Sequence, residues 1–278
     1  ETGGVAGVPQ PPDLDGTVYL GDELLPGVAD LMAALERSGR RRVFLTNNPT
    51  RSREHYAAKL GRLGVDARPD EVITSATITA AWIARHEPDA RCFLLGEQVL
   101  ADTLLAAGIR LTDRAEDTTL VVASYDRGLT YDKLRTAFTA LWRRPQARLI
   151  ATHPDAYCPL GPGLGEPDAA AVIAAVEAST GRRCEAVLGK PNPDALRTAL
   201  AVVGVRPDRA VMIGDRLAPD MAMGRAAGTA TALVLTGDST REDVARLAPE
   251  HRPTYVLDRI DALLVDPDQA VGGSAVTP

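Results

Sequence analysis

Asp13 and Asp15 stand one residue apart in Asp13-Leu14-Asp15-Gly16-Thr17. On an extended segment alternate side chains point the same way, so the two carboxylates would converge at a strand end, with Gly16 permitting a tight departure. Such a pair attracts a hard divalent cation, or lets one carboxylate attack while the other handles a proton. The plainer alternative is a surface turn, for which Asp-Gly is a common dipeptide.

Three further segments carry chemistry of a related kind. In Val43-Phe44-Leu45-Thr46-Asn47-Asn48 an apolar strand runs straight into small polar residues before Pro49. Strand C-termini of open α/β sheets are where ligands bind, and Thr46 offers a hydroxyl and the next peptides their N–H groups to an oxyanion. A helix cap is the alternative, but Ser52 serves that purpose as well as either Asn. In Leu188-Gly189-Lys190-Pro191-Asn192-Pro193 a lysine ends a strand and is held by two prolines. Only Lys59, Lys133 and Lys190 are lysine among 31 basic residues, so a Lys here suggests a site that needs a compact point charge rather than a planar fork. Finally, Val211-Met212-Ile213-Gly214-Asp215 ends an apolar strand on a carboxylate suited to a metal, and Asp220 follows where a helix should begin. Asp220 then reads as an orienting group or only as an N-cap.

The elements that must position these groups alternate. Short β-branched runs at 43–46, 92–95, 119–123, 148–152, 186–189, 210–214 and 231–235 are separated by helical-period segments, the pattern of βαβ units and a parallel sheet. Helices are expected at 27–38, 51–63, 77–85, 99–107, 131–143, 168–179, 193–203 and 220–227, and Pro159–Pro167 reads as a loop. The 278 residues suit two domains or one large α/β unit at about 150 residues per domain. With 45% hydrophobic and 24% charged residues the chain is neither disordered nor fibrous. A net charge of −6 argues against a nucleic-acid partner, and the absence of a long apolar run argues against a membrane. Cys92, Cys158 and Cys184 have no close spacing, so neither a disulfide framework nor a zinc site is expected and a reducing cytoplasmic setting is. Glu1-Thr2-Gly3-Gly4 reads as a tag remnant, and the tail after Asp266 as frayed.

Taken in order, DLDGT, LTNN, GKPNP and GDRLAPD resemble the four motifs of the haloacid dehalogenase superfamily of phosphohydrolases. The segments Ala151-Thr152-His153-Pro154-Asp155 and Tyr125-Asp126-Arg127 are similar to its NagD-like, 4-nitrophenylphosphatase-type branch. The resemblance spans about Asp13 to Ile260. It implies an α/β fold with a Rossmann-like parallel-sheet core, 1–77 and 183–278, and an inserted α/β cap over 78–182 that selects the leaving group.

The family pattern makes Asp13 the nucleophile that forms an aspartyl-phosphate and Asp15 the general acid/base. Thr46 with Asn47 and Asn48 would hold the phosphoryl oxygens, and Lys190 would neutralise their charge. Asp13, the Asp15 carbonyl and Asp215 would bind Mg²⁺, with Asp220 in support. His153 and Asp155 lead the substrate-facing candidates of the cap, followed by Tyr157, Cys158 and Asp168. The substrate implied is a small phosphorylated metabolite such as a sugar, polyol, glycolate or nucleotide phosphate, and a homodimer through the cap is compatible with the branch.

One segment departs from the pattern. Val5-Ala6-Gly7-Val8-Pro9-Gln10-Pro11-Pro12 stands where the family has an unbroken central strand, and proline cannot donate to a ladder. A catalytically weak protein that binds a phosphorylated metabolite therefore stays open beside a phosphatase. A dehalogenase or a mutase is a third reading, opposed by Asp15 and by the large cap respectively.

Overall fold

The computed structural model describes residues 14, 16–161 and 164–264. The proline-rich approach to the first motif, Asp13 and Asp15 themselves, and the expected frayed tail lie outside the described residues. The described chain divides into two compact units: 14–46, 51–74 and 190–264 form one, and 47–50 with 75–189 the other.

In the first unit Phe44–Thr46 pairs in parallel with Val72–Thr74, so that Thr46 lies opposite Thr74 at the strand ends. Val211–Gly214, Ala230–Val234 and Tyr255–Leu257 form a second parallel ladder in that order. Parallel strands are joined by crossovers that place helices on the sheet, so both faces need apolar cover. The residues comply: Phe44, Leu45, Val72, Ile73, Leu233 and Val234 are all buried. The helices Val28–Arg37 and Arg53–Arg62 supply cover through Val28, Leu31, Tyr56 and Leu60, which pack with Phe44, Val72 and Val234 in one core. Ser52 caps Arg53–Arg62 by accepting from the His55 N–H at 3.2 Å, and Asn192 caps Pro193–Val202 by accepting from the Asp194 N–H at 2.9 Å.

The second unit holds a five-stranded parallel sheet in the order Ala186–Val187, Arg148–Ala151, Leu120–Ala123, Arg91–Leu95, Arg110–Leu111. Its central strand Leu120–Ala123 is buried at every position. Tyr131–Arg143 and Ala169–Thr180 bury Ala137, Ala140, Leu141, Val172 and Val176 against Val121, Ala123 and Leu149.

Strands and helices thus fall where the periodicity puts them, to within a few residues. The exceptions are short. Val72–Thr74 and Tyr255–Leu257 have three residues each, too few to establish a period of two. Pro159–Pro167, expected as loop, falls instead within an antiparallel hairpin of Tyr157–Gly161 and Leu164–Pro167, with Glu166 opposite Cys158. Each strand of a two-stranded ribbon has a free edge, which tolerates Pro159 and Pro167 where a central strand would not.

No helix among the described residues is long and apolar enough to cross a membrane. The three cysteines are free, and burial pushes the Cys92 thiol up to about 12 and the Cys184 thiol up to about 11, which keeps both in the unreactive protonated form. Leu149 is fully buried between the helices of the five-stranded sheet. Leu149→Ala should therefore cost about 2–5 kcal/mol, read as a lowered urea midpoint for the unit that contains it. An unchanged midpoint would contradict this packing.

Candidate functional site

Asp215 follows directly on the strand Val211–Gly214, so its side chain begins at the C-terminal end of the parallel ladder. It is only 7% exposed. The Thr17 hydroxyl donates to one carboxylate oxygen at 3.1 Å, and the Asp238 N–H donates to the other at 3.1 Å. Two glycines make room for it. Gly16 has φ +77°, and a Cβ there would sit 2.5 Å from Asp215 Oδ2; a Cβ on Gly237 would collide with the same carboxyl group.

The loop 236–239 closes the seat. The Thr236 hydroxyl donates to the Gly16 carbonyl at 2.5 Å, the Ser239 N–H donates to the Asp215 carbonyl at 3.1 Å, and the Ser239 hydroxyl accepts from the Leu217 N–H at 3.2 Å. Burial pushes the Asp215 carboxyl above its ordinary value and the Asp220 charge adds to this, while the two hydrogen bonds oppose it. A buried carboxylate with one donor per oxygen retains lone pairs and an uncompensated charge. That is the donor chemistry of a hard divalent cation.

Lys190 and Asp220 form a buried ion pair at 3.0 Å in the same unit. Asp220 also accepts from the Arg216 N–H at 3.3 Å and lies within the turn Leu217–Met221, one turn before the helix Ala222–Ala227. It is therefore not that helix's cap. It holds the ammonium in place, and removing either partner would strand a buried charge. Thr46 is fully buried at the end of its strand. Leu14, between the two undescribed aspartates, has φ 67°, a conformation that costs a residue with Cβ about 1–3 kcal/mol.

The other unit places the remaining candidates. Asn47 Nδ2 donates to both oxygens of Asp155, at 3.1 and 3.2 Å, and the Asn47 carbonyl accepts from the Ser75 hydroxyl. Asn48 turns its Oδ1 back onto the Thr50 N–H and hydroxyl, at 2.8 and 2.7 Å. His153 is 1% exposed: its Nδ1 lies 2.8 Å from Thr152 Oγ1 and its Nε2 2.8 Å from Asp168 Oδ1. Both ring nitrogens are thus engaged inside the fold, and none is left for a ligand. Asp168 in turn caps Ala169–Thr180.

Tyr157 is exposed and Cys158 buried. Tyr125, Asp126 and Arg127 are committed internally, to Glu166, to Lys133 at 2.7 Å and to Glu97 at 2.6 Å. His153, Asp155 and Asp168 bring ligand atoms within 4.8 Å of one another, but His153 and Asp168 bond to each other and Asp155 accepts from Asn47. The only nitrogen ligand of that cluster, His153, is fully engaged within the fold, which makes Asp215 the better cation donor among the described residues.

Sequence reasoning missed Thr17 and the loop Thr236-Gly237-Asp238-Ser239. The signal was present, because Ala230–Val234 also runs into small polar residues, the same strand-end pattern that marked Thr46.

Comparison with known proteins adds the following. A family model described as haloacid dehalogenase-like hydrolase matches residues 12–110, and a HAD-hydrolase-like model matches 187–263. The sugar-phosphatase AraL of Bacillus subtilis is 36% identical over 248 residues, covering 89% of this chain and 89% of that protein. The structure of a 4-nitrophenylphosphatase from Thermotoga maritima superposes with a TM-score of 0.82 at 38% identity, covering 90% of this chain and 93% of its own. A glycerol phosphate phosphatase from Mycobacterium tuberculosis, solved with magnesium, gives a TM-score of 0.77 at 33% identity, covering 87% and 72%.

If the seat of Asp215 depends on the two glycines, Gly237→Ala should lower phosphatase turnover at least about tenfold, a barrier rise of about 1.4 kcal/mol, while the far-UV circular dichroism stays that of the parent. Unaltered turnover would remove the close approach from the site.

Proposed function

Because this chain belongs to the haloacid dehalogenase-like hydrolases, and is a phosphoric monoester hydrolase of their NagD-like, 4-nitrophenylphosphatase-type branch, we propose that it hydrolyses a small hydroxylated phosphomonoester through a phosphoenzyme on Asp13. The observation that carries this reading is the buried carboxylate of Asp215, kept short of donors beside the fixed Lys190–Asp220 pair.

The chemistry runs in two displacements. The Asp13 carboxylate attacks phosphorus as the bond to the leaving oxygen breaks, and the carboxylic acid of Asp15 gives that oxygen its proton. Water then attacks the phosphorus of the aspartyl-phosphate, passes a proton back to Asp15 and frees Asp13 and inorganic phosphate. Charge spreads over the phosphoryl oxygens in both transition states, so positioned donors and cations contribute most of the stabilisation. The Thr46 hydroxyl and the adjoining Asn47 N–H serve as donors and Lys190 as the cation. Asp220 acts through Lys190, whose rotamer it holds at 3.0 Å.

Asp215 fits Mg²⁺ by its burial and its spare lone pairs, with Asp13 and the Asp15 carbonyl as companion ligands. When bound, Mg²⁺ supplies electrostatic screening between the attacking carboxylate and the anionic phosphoryl group.

Residues 78–182 select the leaving group in this reading. Phosphoryl contacts are common to every substrate, so discrimination rests on groups that meet the ester portion. Asp155 suits that role. It is only partly buried, it retains acceptor capacity beyond Asn47, and its charge favours hydroxyls over a second anion. A sugar or polyol phosphate is thereby preferred to phosphoglycolate, in keeping with the sugar-phosphatase and the glycerol phosphate phosphatase among the relatives.

Asp13→Asn should lower turnover of 4-nitrophenyl phosphate by roughly 10³ or more while the thermal midpoint stays close to the parent's. Ordinary turnover in that variant would refute the nucleophile. Excess chelator should abolish activity and added Mg²⁺ restore it; activity indifferent to chelation would reject the cation site.

A further inference from the structure

We propose that His153 and Asp168 are positioning residues for substrate selection, a buried brace that sets the loop 152–156 and so holds Asp155 against Asn47. The proposal rests on the reading of Asp155 as a substrate contact given above.

The loop is tied down at both ends. Thr152 ends the strand run, its N–H donating to the Ala123 carbonyl at 3.0 Å and its hydroxyl lying 2.8 Å from that of Ser124. At the far end the Asp168 N–H donates to the Ala156 carbonyl at 3.2 Å and the Ala170 N–H to the Asp155 carbonyl at 3.0 Å. His153 spans the interval, from Thr152 Oγ1 to Asp168 Oδ1. Ser124, Thr152, His153, Asp168 and the start of Ala169–Thr180 are therefore one continuous hydrogen-bonded chain, and Asp155 is the side chain that the braced loop presents.

Capping alone does not call for this arrangement. Asp168 already satisfies the Ala169 N–H at 2.5 Å, and a Ser or Asn would cap as well. An apolar side chain at 153 could fill the volume. What a buried imidazole with both nitrogens engaged adds is a single allowed geometry, since any other leaves a desolvated donor or acceptor unmade. The surroundings are close-packed too. A Cβ on Gly189 would come within 2.6 Å of Asn47 Oδ1, 2.7 Å of the Thr152 carbonyl and 2.9 Å of His153 Cβ, so Asn47, Thr152 and His153 share one tightly filled corner.

The test measures kcat and KM for glycerol phosphate, a set of pentose and hexose phosphates, and 4-nitrophenyl phosphate, which has no ester hydroxyl. Asp168→Asn keeps both the cap and an acceptor for His153, and should behave as the parent. Asp168→Ser keeps the cap but is too short to reach His153. It should raise KM for the best hydroxylated ester at least about tenfold while kcat for 4-nitrophenyl phosphate stays within about threefold. Combined with Asp155→Ala, Asp168→Ser should add nothing further to that KM, because the brace acts through Asp155. His153→Ala should track Asp168→Ser; if it does not fold, the Asp168 series decides alone.

Equal losses on all esters, parental kinetics in Asp168→Ser, or additive effects in the double variant would each overturn the proposal. A parent enzyme that cleaves 4-nitrophenyl phosphate but no hydroxylated ester would instead overturn the reading of Asp155, and the proposal with it. A parent that cleaves neither would overturn the phosphatase assignment itself.

Discussion

A carboxylate taken out of water must be paid for by donors, by a cation or by protonation, and at Asp215 the fold supplies too few donors to finish the task. The surrounding structure follows from that constraint. Glycine is required at 16 and at 237 because the carboxyl group fills the space a Cβ would take. The loop after Ala230–Val234 must return to the Asp215 strand so that Asp238 and Ser239 can donate, and the chain after Asp15 must pass close enough for Thr17 to do so. The apolar core beneath, from Phe44 and Val72 to Val234, keeps the strands rigid enough to hold these groups within tenths of an ångström.

The two units treat buried polarity in opposite ways. Around Asp215 hydrogen bonding is left incomplete and the carboxyl is destabilised as an anion. Around His153 the imidazole is fully engaged, each nitrogen with a partner and Asp168 Oδ1 shared between His153 Nε2 and the Ala169 N–H. Incomplete satisfaction is tolerable where a cation is to arrive, since the ligand supplies the missing interaction. Complete satisfaction belongs where geometry is the product, because a closed network has one low-energy arrangement. Lys190 and Asp220 stand between these cases: each neutralises the other, Lys190 just beyond the strand Ala186–Val187 and Asp220 within the turn Leu217–Met221.

Much of the fold was legible because parallel strands buried on both faces must be continuous apolar runs, and the helices that cover them must repeat near every third or fourth residue. Residues 120–123 and 131–143 show this plainly. The hairpin at 157–167 was not legible, since three prolines and three glycines argue against a ladder unless the ribbon has free edges, and edge exposure is a property of the assembled sheet. Ser52 as the cap of its helix was readable from residue type alone. Asp220 was not, because the same spacing serves a cap or an ion-pair partner until Lys190, 30 residues earlier, is brought to it.

By itself, then, the sequence determined the alternation of strands and helices, the strand ends at which Thr46 and Asp215 stand, and the family resemblance that the order of the motifs carries. Only the tertiary structure decided that Thr17 and the loop 236–239 seat Asp215, that His153 looks inward to Asp168, and that Asp155 meets Asn47. The reason is physical. Periodicity and strand-end chemistry are local and survive in one dimension, whereas a hydrogen bond between residues 108 or 198 positions apart depends on where folding brings both backbones, and no local pattern encodes that distance.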